Sequence, residues 1–323
     1  MKFLNDLRFQ KDFLKRNKSY LKKGVFVLHE NLRTYVLKER KKDTWFPGTK
    51  RTLKSKIKSS VARLFYSVQV RKSGDDFSAQ AVYFSTVPHV YNRDAKFFDY
   101  EGKRVRTVCQ NKVRYDLYMR NRTYFEKYFP MVDLLSADEE RLVFEERLID
   151  KISVPKDAWE SVFRTIFDTY STYYQLSEID KTRVAYRCAQ ISESAAEAPE
   201  FTTTLFRQHG DLSSDNFIYD KNGKVFFIDY DHANYYPVFY DLFFLIVNLH
   251  LWKGNDIGIR LLTSGAFDAY FTDLSEIGIS SIHDAFFLFA DYYLSVCQKE
   301  GLSSKWIAKY KAFLCDTLER LKR

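Results

Sequence analysis

Residues 208–229 read QHGDLSSDNFIYDKNGKVFFID, and this stretch decides the fold. Asp211 and Asn216 stand five apart across a loop that enters an apolar strand, and Asp229 ends the next strand. The two strands, NFIY and KVFFID, are joined by DKNG, where Asn222-Gly223 predicts a type I′ hairpin. A hairpin brings its ends together, so Asn216 and Asp229 can face one point. An amide oxygen and a carboxylate are hard ligands suited to Mg²⁺, which keeps several waters and shares its shell with phosphates. Asp211 is then free to orient or deprotonate a hydroxyl, and metal holders beside a base are the parts of phosphoryl transfer. Singly, an Asp or Asn before a strand reads as a turn cap. It is the ensemble of His209, Gly210, Asp211, Asn216 and Asp229 that a cap does not explain.

Asp241 extends the ensemble. It sits in PVFYDLFFLIVNL (237–249), a helix apolar nearly all round and therefore buried. A buried carboxylate is costly unless it accepts hydrogen bonds, so Asp241 is expected to tie down backbone amides, and a catalytic loop is the first thing that needs such fixing.

His209-Gly210-Asp211-Leu212 with Asn216, then Phe227-Ile228-Asp229, then Tyr240-Asp241-Leu242, resembles the aminoglycoside phosphotransferase and choline kinase family, small-molecule kinases with a protein kinase-like fold. The agreement covers about 208–243, and the order of elements extends it over 79–323. The resemblance implies an α+β, two-lobed fold: a small antiparallel-sheet lobe for the nucleotide and a mainly helical lobe with the catalytic loop. It implies ATP and Mg²⁺ as cofactors, Asp211 as base, Asn216 and Asp229 as metal ligands, and His209 and Asp241 as supports of the loop. Asp231 is a second metal candidate.

The first lobe departs from the family pattern. The loop expected over the phosphates is PHVYNRD (88–94), which has no glycine and resembles the Asn-containing loop of choline kinase-like members, so Asn92 is its nucleotide-binding candidate. The third strand, RVRTVC (104–109), offers Arg106, or Arg104 on the same face, to the α- and β-phosphates. The helical acid that should pair with this cation falls to Asp116, one carbon shorter than the expected Glu.

Around this motif the chain divides by pattern. Residues 2–23 read as a basic helix, 24–40 as two short strands, and 47–60 as an exposed loop or helix start; 61–78 gives no clear signal. Strands follow at 79–87, 95–100 and 104–109, a helix from about 111 to 129, and two strands around SADEE (136–140). After Ile152 the pattern is helical: 155–175, 180–198, then, beyond the hairpin, about 237–252, 256–273, 282–299 and 303–322. The expected organisation is a basic extension over 1–78, a nucleotide lobe over 79–152 and a helical lobe over 153–323.

Composition sets the wider frame. The 323 residues are 46 % apolar and include 29 Phe and 23 Tyr, so the core should be rich in rings. Residues 1–72 carry 21 Lys/Arg against 5 Asp/Glu, whereas the rest carries 30 against 37. Such a basic end suits anionic partners. It motivates two expectations: an anionic acceptor such as a glycan intermediate of the cell surface, and contact of residues 1–72 with an anionic membrane surface. Nucleic acid is set aside, because the run KRTLKSKIK (50–58) has no binding module around it. The longest apolar run, 238–252, is too short to cross a bilayer and contains Asp241, so the expectation is a cytoplasmic protein without a transmembrane segment. Four scattered cysteines argue against a zinc site or a disulfide framework. The acceptor is expected to be a small-molecule or glycan hydroxyl. Alternatives are a cationic acceptor caged by Tyr230, Asp231, Tyr235, Tyr236 and Tyr240, and a kinase-like binding protein without turnover.

Overall fold

A computed structural model of the chain describes residues 2–29, 33–40, 66–72, 77–85, 94–192, 198–271, 279 and 281–322. The chain forms two compact units: residues 1–119 with 132–149, and residues 120–131 with 150–323. The mixed α+β class and the order of a strand-rich unit before a helix-rich one are those expected from the sequence.

The first unit is built on one antiparallel sheet. Its strands are β1 (Gly24–Leu28), β2 (Thr34–Leu37), β3 (Val68–Val70), β4 (Ala81–Phe84), β5 (Ala95–Asp99), β6 (Arg104–Val108), β7 (Leu134–Asp138) and β8 (Val143–Arg147). Their order across the sheet is β3-β1-β2-β4-β5-β6-β8-β7. The strands of residues 24–70 therefore extend the same sheet, and 1–78 is no separate extension. Helix α1 (Lys2–Arg16) has its apolar side, Leu7, Phe13 and Leu14, buried on one face of this sheet. Phe13 meets Phe84 edge-on at 5.6 Å. Helix α2 (Lys112–Phe125) lies on the other face, where Tyr118 stacks on Phe144 at 4.0 Å. The stretch 47–60 lies outside the described residues.

The second unit contains α3 (Trp159–Tyr174), α4 (Tyr240–Lys253), α5 (Ile257–Ser264), α6 (Ile282–Lys299) and α7 (Ser304–Leu321). Its strands are β9 (Lys181–Arg187), β10 (Glu200–Gln208), β11 (Phe217–Tyr219), β12 (Val225–Phe227) and β13 (Asn234–Tyr236). Its core is a continuous network of rings, among them Phe163, Phe167, Tyr170, Tyr174, Phe239 and Phe243. This is what the aromatic composition predicted.

Two local expectations are corrected. Residues 180–198 were expected to be helical, yet 181–187 form β9, paired with β10 from Lys181↔Phe206 to Arg187↔Glu200. Thr182, Val184 and Tyr186 alternate along it, a β pattern that pairing with β10 selects over helix. The β11–β12 turn is not type I′: only Gly223 has positive φ, at 79°. The Asp220 carboxylate accepts the N–H groups of Asn222 (2.8 Å) and Lys224 (2.9 Å), giving a longer connection with glycine in the left-handed position.

Candidate active site

Strand β10 delivers His209, Gly210 and Asp211 at its end. Gly210 has φ +83°, and a Cβ there would lie 2.4 Å from the His232 carbonyl oxygen and from the Tyr236 hydroxyl. The turn therefore requires glycine on two counts, backbone conformation and space. Gly210→Ala is expected to lower stability by about 2 kcal/mol or more, from the left-handed penalty plus the clash. A urea-unfolding midpoint equal to that of the parent chain would remove this reading.

Asp241, in the first turn of α4, is fully buried and fixes the same turn. Its carboxylate accepts the His209 N–H at 2.8 Å, the Gly210 N–H at 2.7 Å and the Tyr170 hydroxyl. This is the backbone tie expected from its place in an apolar helix. Burial pushes the Asp241 carboxyl up, while His209, Tyr170 and the two amides hold it down. His209 is a second brace. Its Nε2 sits 2.8 Å from the Ile228 carbonyl, and its Nδ1 accepts the Asp211 N–H at 3.3 Å, an arrangement that places the ring proton on Nε2.

Asn216 closes the loop. Its Nδ2 donates to the Asp211 carbonyl at 2.7 Å and to the Asp211 carboxylate at 2.9 Å. Both amide hydrogens are thus committed, and among the described residues no donor is bonded to its Oδ1. The Asn216 carbonyl accepts the Ile228 N–H at 3.1 Å, which sets Asn216 beside the residue preceding Asp229. Asp229 itself is left-handed, at φ 70° and ψ 55°, a turn away from the strand line that few non-glycine residues take. Its charge reaches Asp211. Burial first, and then Asp229, push the Asp211 carboxyl up; His232, His209 and the Asn216 bond act in the opposite direction. Asp211, Asn216 and Asp229 are therefore brought together, with His209 and Asp241 behind them.

Sequence reasoning missed two members of this neighbourhood. His232, at the end of the short helical turn Tyr230–His232, acts electrostatically on Asp211. Lys151 donates to the carbonyls of Ser214 and Asp215, inside the loop. Neither carries a motif signal, since each acts from outside the hairpin. The tyrosine cage is corrected: Tyr230, Tyr236 and Tyr240 are core residues, and of the proposed rings only Tyr235 is exposed.

In the first unit the nucleotide candidates do not assemble as expected. Arg106 lies opposite Glu145 in the β6–β8 pairing and donates to its carboxylate at 2.9 Å through Nε. Its guanidinium also lies over the rings of Tyr20 (4.4 Å) and Phe77 (4.2 Å). Alternation along β8 sends Glu145 to the α1 face and its neighbours Phe144 and Glu146 to the α2 face, where Tyr118 stacks on Phe144 and bonds Glu146. Asp116, carried by α2, therefore cannot be the partner of Arg106; it is exposed and bonds Lys112. Asn92 lies outside the described residues.

Residues 159–272 match the family model described as "Phosphotransferase enzyme family". This segment is similar to that family. It runs from the first residue of α3 past α5 and holds every residue of the site from His209 to Asp241, so the phosphotransferase expected from the sequence stands. No curated protein matches the chain. Among solved structures, the choline kinase LicA from Streptococcus pneumoniae is 12 % identical, with TM-score 0.42 over 74 % of this chain and 92 % of that one. Aminoglycoside phosphotransferase APH(4)-Ia, in a ternary complex with AMP-PNP and hygromycin B, is 13 % identical, with TM-score 0.45 over 76 % and 96 %. A choline/ethanolamine kinase family protein from Mesorhizobium loti is 12 % identical, with TM-score 0.38 over 74 % and 87 %. Among the described residues no helix is long and apolar enough to cross a membrane.

Proposed function

We propose that the chain moves the γ-phosphoryl group of ATP to a hydroxyl of a small molecule or glycan, with Asp211 as base and Mg²⁺ held by Asn216 and Asp229. The observation that carries this reading is the commitment of both Asn216 amide hydrogens to Asp211, which turns the amide oxygen outward as a hard ligand. The Ile228 N–H bonds the Asn216 main-chain carbonyl, which sets Asn216 beside the residue preceding the left-handed Asp229. Bound magnesium supplies charge neutralisation at the phosphates. The residues do the rest. Asp211 accepts the proton of the attacking hydroxyl, Asn216 orients the Asp211 carboxylate, and Asp241 holds the turn that carries it. Burial of Tyr230, Tyr236 and Tyr240 removes the cage that a cationic acceptor would use, and favours a neutral or anionic hydroxyl compound.

Asp229→Ala tests the metal assignment. Magnesium and ATP at about 100 times their dissociation constant should raise the melting temperature of the parent chain by several degrees, from a linkage of about 2.7 kcal/mol. Asp229→Ala should lose most of that rise. An equal rise in both chains places the metal elsewhere.

One observation favours a second reading, a kinase-like binding protein without turnover: Arg106 is engaged by Glu145 on the α1 face of its sheet. Phosphate release from Mg·ATP, screened over sugar and glycan acceptors, separates the two. Turnover excludes the second reading, and binding without release supports it.

A further inference from the structure

Lys151 lies where the chain enters the second unit, next to the first residue of that segment, and no catalytic motif includes it. Its ammonium donates to two consecutive carbonyls, Ser214 at 3.0 Å and Asp215 at 3.2 Å. The base of the side chain is fixed as well, because the neighbouring Ile152 N–H donates to the Tyr219 carbonyl of β11 at 2.9 Å. We propose that Lys151 is a positioning residue, a strap that sets the peptide planes of the catalytic loop so that Asn216 presents its side chain to Asp211. This inference rests on the reading of Asp211 and Asn216 given above.

A peptide group is planar, so holding a carbonyl also aims the N–H on the other side of its bond. The Asp215 carbonyl shares its plane with the Asn216 N–H, which donates to the Ser213 carbonyl at 3.0 Å. The Ser214 carbonyl shares its plane with the Asp215 N–H, which points to the Ser213 hydroxyl at 3.4 Å. Two adjacent carbonyls aimed at one point repel each other, and a cation between them removes that repulsion. Without it the two planes turn, and Asn216 turns with them. Lys253 of α4 holds the Asp215 side chain from another direction, at 3.5 Å, and does not reach these carbonyls with a bond.

The ammonium is in a setting that makes the strap sensitive to pH. Burial, the largest influence, pushes Lys151 down to about 8; Asp215 opposes this and Lys253 adds to it. The folded chain therefore binds fewer protons than the unfolded chain between about 8 and the ordinary lysine value. Global stability linked to this group rises with pH across that window. The strap loosens over the same window. Local and global effects thus run in opposite directions, which a merely structural lysine would not produce.

The test is amide hydrogen exchange of the full chain, followed by mass spectrometry, in the parent, Lys151→Met and Lys151→Arg. In Lys151→Met the peptide holding Ser213 and Asn216 should exchange about tenfold faster, with peptides of β9 and β10 unchanged. In the parent, exchange of the loop peptide should exceed the intrinsic rise above pH 8 while the melting temperature does not fall. Lys151→Arg, whose guanidinium keeps its proton, should remove that excess. Equal loop exchange in parent and Lys151→Met, or an excess that persists in Lys151→Arg, overturns the proposal. The measurement needs neither ATP nor acceptor. A chain that hydrolyses no Mg·ATP but shows the loop response would count against the phosphotransfer reading and leave the strap standing.

Discussion

Asp211→Asn is expected to cut phosphoryl transfer by on the order of 10²–10⁴, the usual worth of a positioned base, while leaving the fold intact. The geometry supports both halves. The substituted amide can still accept a bond from Asn216 Nδ2 through its oxygen, so the loop keeps its closure. Stability should hold or rise. The carboxyl is raised in the folded chain, chiefly by burial, so the folded state favours the protonated form. Between the ordinary carboxylate value and this raised one, the folded chain binds more protons than the unfolded chain, and its stability declines as pH rises. An uncharged residue removes that decline. In the parent, turnover should therefore fall on acidification at a pH above the ordinary carboxylate range. The checks are the pH profile of phosphate release and a parallel melting curve at pH 7. Near-full activity of Asp211→Asn would end the assignment of the base.

Asp241→Ala should produce the largest loss of stability at the site. Three donors, the amides of His209 and Gly210 and the Tyr170 hydroxyl, would lose their common acceptor in a region closed to water. Each buried donor left without a partner costs about 1–3 kcal/mol, so a total of about 3–5 kcal/mol is expected. At about 2–4 °C per kcal/mol this is a fall of about 10 °C in melting temperature. Turnover should fall as well, because the same amides aim Asp211. A melting temperature within a degree of the parent would show that Asp241 does not brace the turn.

Much of the site was legible in the sequence because its parts are local. Asp211, Asn216 and Asp229 lie within 19 residues on one loop and one hairpin, and DKNG with apolar flanks announces that hairpin. Asp241 was legible for a different reason, since a carboxylate in an all-apolar helix needs donors. The failures share one cause, the face of an element that only its neighbours determine. Arg106 was chosen from its place on the third strand, but strand alternation alone does not say which face α2 covers. Residues 180–198 contain alanines and charges that suit a helix, and only β10, itself without a clear signal, makes 181–187 a strand. Lys151 was invisible because its partners are carbonyls 63 and 64 residues away.

The place of β4 in its sheet has a practical consequence. β4 pairs with β2 through Ala81↔Val36 and Thr34↔Tyr83, and β2 in turn pairs with β1. A shortened protein starting at residue 79, where the kinase-like pattern begins, would bare one whole side of β4, a short apolar strand with unpaired amides and carbonyls. Such a border recruits other chains. The trimmed protein should come out of expression as insoluble material, whatever its catalytic residues can do.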